Sequence, residues 1–267
     1  MSKNILIRKK NKIMEITINR PKVNAIDIKT SQELGDAFEA FRNDDNISVA
    51  ILTGSGEKIF SAGWDLKDLN TGNISLNNWW ETDDYGIGGF AGVTENWKLN
   101  KPIIAALNGL AIGGGFEIAI SCDLIIASEN VEFGLPELPL GIVPDAGALQ
   151  RLPKIIPKNI AREMFLLGRR MSATEAQHYG LINKIVKKNH LMDTAREWAN
   201  RIANAAPLAV QTIKEIEREI ESLPVKESFY RMRNNNLPTY KKMLSSTDAV
   251  EGVSAFVEKR TPKFKGE

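Results

Sequence analysis

The spacing of hydrophobic and polar positions changes several times along this chain, and each change marks an element. Ile5 to Arg8 and Ile13 to Ile18 alternate with period two around the polar tip Lys9-Lys-Asn-Lys12, which predicts a β-hairpin. Pro21 ends its second strand. Leu34, Ala37, Phe38 and Phe41 then share one face of a helix running to about Arg42, with Thr30-x-x-Glu33 as its capping box. Val49 to Leu52, Pro102 to Leu107 and Leu124 to Ala127 are continuous apolar runs, the pattern of buried strands. Thr53-Gly-Ser-Gly56 closes the first of these and Gly109 breaks the second. Ser172-x-x-Glu175 opens a further helix ending near Gly180, and Leu181 to Val186 returns as a short strand.

From Leu191 onward the period is almost wholly helical. Helices are expected over Met192 to Ala205, Leu208 to Glu221 and Val225 to Leu244, separated by Pro207 and Pro224, with Pro238 breaking or kinking the third. A last helix, about Asp248 to Lys259, precedes Pro262. Strands alternating with helices indicate an α/β class. The change of pattern divides the chain into a core over residues 1–205 and a helical region over residues 206–267.

A chain of 267 residues can bury a substantial core as one large domain or a domain with an appendage. Its 35 basic and 33 acidic residues nearly cancel, so no field for nucleic acid is expected. The single Cys122 excludes an intrachain disulfide and suits a reducing cytoplasm; in its apolar run it reads as core filler. His178 and His190 have no ligand-spaced partner, which argues against a catalytic triad or a histidine-rich metal site. Met1 to Lys10 has no cleavable signal pattern, and no window offers the roughly 20 apolar residues of a membrane span.

The chemistry concentrates in Asn108-Gly-Leu-Ala-Ile-Gly-Gly-Gly-Phe-Glu117 and, just after it, Phe133-Gly-Leu-Pro-Glu137. Three glycines lead into Phe116-Glu-Ile-Ala-Ile120, which has the composition of a helix start. Such glycines let backbone N–H groups approach a ligand, and the helix dipole behind them stabilises negative charge. Glu117 and Glu137 would supply acid and base beside those donors, an arrangement suited to enolate chemistry. Equally, Gly113 to Gly115 could serve only close helix–strand packing with both glutamates solvated. The triplet matches neither a dinucleotide fingerprint nor a phosphate loop.

With these residues the chain resembles the enoyl-CoA hydratase/isomerase (crotonase) superfamily. The resemblance runs through Asn19 to Ala25, Phe60-Ser-Ala-Gly-Trp-Asp-Leu66, Pro102 to Ala106, Gly113 to Glu117, Phe133 to Glu137 and Leu140-Gly-Ile-Val-Pro-Asp-Ala-Gly147. Within the superfamily, Asn24 to Ser31, Ser61 to Lys67 and Gly88-Gly-Phe-Ala-Gly92 are most similar to the branch that dehydrates carnitinyl-CoA. The resemblance implies a spiral of ββα units with a C-terminal helical region that makes trimer contacts, as a homotrimer or a dimer of trimers. It implies an acyl-CoA thioester substrate, no cofactor beyond the coenzyme A of that substrate, and a cytoplasmic hydro-lyase.

Site residues follow in the same way. The backbone N–H groups of Trp64 and Gly114 would form an oxyanion hole, with Glu137 exchanging the α-proton and Glu117 activating water. Val23, Ala25, Ala62, Gly63, Asp65, Leu66 and Gly113 would hold coenzyme A and substrate, and Lys259 would reach the nucleotide. Residues 70–90 carry several glycines and little periodicity, which predicts a loop near the acyl pocket. Its Trp79, Trp80 and Tyr85 lie among acidic groups, the composition that holds a quaternary ammonium, and with Phe90 and Asp145 they are candidates for the acyl pocket; packing of the loop is the plainer alternative. Asp145 reads first as a helix cap and second as an acid for isomerase chemistry.

Three other readings stay open. A general short-chain enoyl-CoA hydratase fits the same residues. Glycoside hydrolysis also uses two carboxylates but leaves the glycine-flanked donors without a role. A non-catalytic scaffold of the same fold has no need of both glutamates.

Overall fold

A computed structural model describes residues 4–67, 85–234 and 236–267. The chain opens with the expected hairpin, β1 (Ile5–Lys10) and β2 (Ile13–Ile18), turning at Asn11 in a left-handed conformation. Next come α1 (Ile28–Asn43), β3 (Val49–Gly54) and β4 (Ile59–Ser61). The helix starts earlier than Thr30-x-x-Glu33 suggests. Asp27 is its N-cap and accepts from the Thr30 N–H at 2.7 Å, so Thr30 is buried in the first turn instead of closing it. Asp27 also pairs with Arg20 at 2.9 Å, and that second partner favours it over Thr30.

Farther along come β5 (Ile103–Leu107), β6 (Leu110–Ile112), α2 (Gly114–Ile120), β7 (Leu124–Ser128) and β8 (Glu132–Gly134). Gly109 therefore divides two strands; it does not end one. A side chain there would collide with the Lys58 backbone carbonyl, so the chain crosses at closest approach. Two helices the periodicity did not announce follow, α3 (Ala148–Ile155) and α4 (Lys158–Leu167). Pro153 and Pro157 punctuate that stretch and hide its helical period.

The chain continues through β9 (Met171–Ser172), α5 (Ala173–His178) and β10 (Lys184–Val186). Ser172 caps α5 as expected, accepting from the Glu175 N–H, while the strand anticipated from Leu181 begins only at Lys184. Helices α6 (Leu191–Ala203), α7 (Pro207–Ile220), α8 (Val225–Asn234), α9 (Pro238–Leu244) and α10 (Thr247–Val257) complete the chain. Pro238 does break the third expected helix, and it starts α9 at a position where its missing N–H costs nothing.

Six strands form one sheet in the order β1-β2-β3-β5-β7-β10, parallel except for the opening hairpin. Four form a second, β4-β6-β8-β9, in which β4, β6 and β8 run parallel. Alternate residues of β3 serve two cores. Ala50 and Leu52 face the cluster containing Phe60, Phe116 and Phe133, whereas Val49 and Ile51 face α6 through Ala195 and Ala199. Coverage on both faces explains why this strand is apolar throughout. Cys122 packs at the edge of the first cluster, and burial pushes its thiol far above the ordinary range, so it acts as filler. On α10, Val250, Val253, Phe256 and Val257 are exposed, an apolar face of the kind another protein surface covers.

Candidate active site

The carboxyl ends of β4, β6 and β8 lie side by side, and the segments leaving them build one cavity. From β4 comes Ala62 to Leu66; from β6 comes Gly113 and the start of α2; from β8 comes Pro136-Glu137. Apolar groups of Leu140, Ile142 and Val143 close another side, and Asp145 and Ala146 complete it ahead of α3. Leu140 and Val143 are about half exposed, which makes an apolar lip on an irregular segment.

The backbones that carry Trp64 and Gly114 meet at this place. Ile26 and Trp64 form an isolated parallel bridge: the Ile26 N–H donates to the Gly63 carbonyl at 2.8 Å, and the Asp65 N–H donates to the Ile26 carbonyl at 2.9 Å. In that pattern Trp64 turns its own N–H to the opposite edge. The N-terminus of α2 lies against this segment at Gly63. A Cβ built on Gly63 would lie 2.5 Å from the Gly114 nitrogen, so the two backbones touch with no space for a side chain. Gly113 caps α2 with φ 55°, and Gly114 occupies the first turn, where helix N–H groups lack an intrahelical acceptor. Gly115 packs against the Ser61 carbonyl, so the triplet serves close packing.

The carboxylates are not solvated. Glu117 is 3% exposed and Glu137 is 7% exposed. The Glu117 Oε1 accepts from the Ala148 N–H at 3.0 Å, which ties it to the start of α3. Burial pushes its carboxyl up to about 8, against the Ala148 hydrogen bond and with help from the charges of Glu137 and Asp145. Burial likewise pushes Glu137 up to about 7, with Asp145 adding to it. Among the described residues, the Glu137 Oε2 is buried without a hydrogen-bond partner. Near neutral pH such a pair shares a proton and titrates as a unit.

The sign of the resulting pH dependence is fixed. Native carboxyls that hold their protons above the unfolded value favour folding below about pH 4.5, and that advantage is lost as pH rises through about 7 to 8. Stability of the unliganded protein should therefore fall from pH 5 to pH 9, and Glu117→Gln should flatten that slope. Urea titrations across the range check this, and an unchanged slope in the variant would contradict it.

The remaining expected site residues are distributed as follows. Phe90 lines the cavity and packs on Gly114; Tyr85 lies behind it, with its ring centroid 5.8 Å from Phe90 and 5.7 Å from Trp64. Ser31 pins this segment to α1, donating to the Tyr85 carbonyl at 2.7 Å and accepting from the Ala91 N–H at 2.9 Å. Trp79 and Trp80 lie outside the described residues. Val23 and Ala25 are not among the residues lining the cavity, and the Val23 carbonyl accepts from the Ala62 N–H at 3.0 Å. Arg20 pairs with Asp65 at 2.8 Å and donates to the Ala25 carbonyl at 2.8 Å, which ties the two segments together. Lys259 is exposed beyond α10 and is not among the residues lining the cavity.

Asp145 does not occupy the N-cap position of α3. Gly147, with no side-chain cap, precedes α3, and Asp145 faces the cavity two residues earlier. The lip residues Leu140, Ile142 and Val143 lie in a motif that the family resemblance singled out without giving them a role, and the α3 N-terminus that holds Glu117 had no period to reveal it.

A family profile described as enoyl-CoA hydratase/isomerase matches residues 8–267. Carnitinyl-CoA dehydratases from Proteus mirabilis (strain HI4320) and Salmonella agona (strain SL483) are each 50% identical to this chain over 266 residues, covering all of both. Among solved structures, enoyl-CoA hydratase from Bacillus anthracis superposes with a TM-score of 0.88 at 34% identity, covering 99% of this chain and 100% of that one. Enoyl-CoA hydratase from Mycobacterium tuberculosis H37Rv gives 0.87 at 36% identity, covering 99% of each.

Proposed function

The chain belongs to the enoyl-CoA hydratase/isomerase family, and we propose that its cavity reversibly dehydrates carnitinyl-CoA to crotonobetainyl-CoA. One observation supports the reading: two buried glutamates share a cavity with Trp64 and with Gly114 of the first turn of α2. Water addition to an α,β-unsaturated thioester drives charge onto the carbonyl oxygen, and so does removal of the α-proton in reverse. The Trp64 and Gly114 N–H groups would receive that charge, in a site whose dipoles are set before reaction.

The glutamates divide the proton work. Glu137 is assigned to the α-carbon, because its Oε1 sits 2.8 Å from where a Cβ on Gly113 would be, next to the donor at Gly114. The α-carbon is bonded to the carbonyl carbon, so its base belongs near the oxyanion donors. Glu117, oriented by the Ala148 N–H, is assigned to the β-hydroxyl or the incoming water. One proton on the pair near pH 7 supplies an acid and a base together. Coenzyme A enters as part of the substrate, and the scheme calls on no further cofactor.

The full-length match to carnitinyl-CoA dehydratases favours a trimethylammonium acyl chain. The likeness to solved enoyl-CoA hydratases keeps a general short-chain hydratase as the second reading. Steady-state hydration of crotonobetainyl-CoA and crotonyl-CoA by the purified protein separates them. A higher kcat/KM is expected for crotonobetainyl-CoA; the reverse order would establish the general hydratase.

A further inference from the structure

Glu117 depends on an amide outside its own helix. Its Oε1 accepts from the Ala148 N–H at 3.0 Å, so its aim follows wherever the first turn of α3 stands. That turn has no side-chain cap, and Gly147 enters it with φ 125°. Arg151 meets the turn twice. Its backbone N–H donates to the Gly147 carbonyl at 2.9 Å. Its guanidinium folds back onto Gly147, where Nη1 lies 2.1 Å from the position a Cβ would take.

The same guanidinium reaches a second segment. Its Nη2 donates to the carbonyl of buried Thr94 at 2.5 Å. Residues 90–94 are fixed in their turn. The Thr94 hydroxyl donates to the Phe90 carbonyl at 3.2 Å, the Ala91 N–H donates to Ser31 of α1 at 2.9 Å, and a Cβ on Gly92 would lie 2.4 Å from the Gly35 Cα of α1. Arg151 therefore joins an uncapped turn to a segment held against α1. A planar guanidinium, with donors in fixed directions, can keep two backbones at a set separation; an ammonium on a flexible stem does so less well. Burial lowers the pKa of Arg151, and the carboxyl of Glu117, ahead of those of Glu95 and Glu221, opposes that lowering.

We propose that Arg151 is a positioning residue for Glu117: its guanidinium ties the first turn of α3, whose Ala148 N–H holds the Glu117 carboxyl, to the segment of Thr94. Arg151 acts through that turn and not on the substrate. This role presupposes the hydro-lyase reading of the cavity.

The test compares wild type, Arg151→Met and Arg151→Lys in two assays. One is hydration of crotonobetainyl-CoA, which uses both glutamates. The other is exchange of the α-protons of a saturated acyl-CoA with deuterated solvent, which uses Glu137 and not Glu117. Arg151→Met should lower kcat for hydration about ten- to hundredfold with KM little changed, the cost of misplacing a reacting group by up to about 1 Å. Exchange should stay close to wild type. Arg151→Lys should lose less hydration, because it keeps a donor for Thr94. Millimolar guanidinium chloride should restore much of the hydration lost by Arg151→Met and leave wild type unchanged, since Arg151 lines a surface groove with Trp97, Gln150 and Lys154. Equal losses in the two assays, or a loss that guanidinium leaves in place, would make Arg151 a general support of the fold and overturn the proposal, as would undiminished hydration. If Arg151→Met does not fold, Arg151→Lys decides by the same split between the assays. A wild type that hydrates no enoyl-CoA thioester would instead overturn the hydro-lyase reading itself.

Discussion

Glu137→Gln is expected to lower kcat for enoyl-CoA hydration by about 10²- to 10⁴-fold, the range that general acid–base catalysis contributes. The substitution keeps shape and removes the ability to carry the α-proton. The amide side chain would still fit, since the pocket already holds a carboxyl of that size buried, and loss of an ionisable group from a buried position does not burden the fold. Thioester affinity should therefore persist while turnover disappears. A second measurement separates the two glutamates. Exchange of the α-protons of a saturated acyl-CoA with deuterated solvent needs the α-carbon base but no β-chemistry. Glu137→Gln should abolish that exchange and Glu117→Gln should retain much of it. Retention of exchange by Glu137→Gln would exchange the two assignments, and hydration within tenfold of wild type would remove Glu137 from the mechanism. The double variant should be little worse than the worse single one, because groups that act as a unit do not lose activity additively.

What could be read from the sequence divides along physical lines. Strands β3, β5 and β7 were legible because sheets covered on both faces demand unbroken apolar runs, and Val49 to Leu52 supply one. The hairpin was legible from its period. Glu117 and Glu137 were legible as a pair through their glycine contexts and the family resemblance; their burial, which rules out the solvated alternative, was not. The start of α1 was misplaced because two capping patterns overlap, and the choice of Asp27 over Thr30 depends on Arg20 arriving from outside the helix. Asp145 offered two readings, since an acid before a helix suggests a cap while its motif made it a candidate for the acyl pocket; it lines the cavity, and Gly147 takes the N-cap position of α3. The α3 amide that holds Glu117 is invisible to any local rule, since 31 residues separate donor from acceptor.

Gly63→Ala should cost about 10²- to 10³-fold in kcat/KM, the loss expected when one oxyanion donor is displaced. Gly63 has φ +78°, and a methyl there would lie 2.5 Å from the Gly114 nitrogen, 2.9 Å from its Cα and 2.9 Å from the Gly115 nitrogen. All three are backbone atoms of the α2 N-terminus and cannot rotate aside, so either that terminus or the segment carrying Trp64 must move. Movement of either one separates the two N–H groups while leaving both glutamates chemically intact. Part of any effect will be the left-handed conformation itself, roughly 1 to 2 kcal/mol for a residue with a Cβ. Gly56→Ala isolates that part: Gly56 has φ +80° with nothing within 4 Å of a built Cβ. It should lose stability to the same cause and keep its turnover. If Gly63→Ala loses no more activity than Gly56→Ala, measured below the unfolding transition of both, then the close contact between Gly63 and α2 does not set the donor geometry, and the oxyanion assignment to Trp64 and Gly114 fails with it.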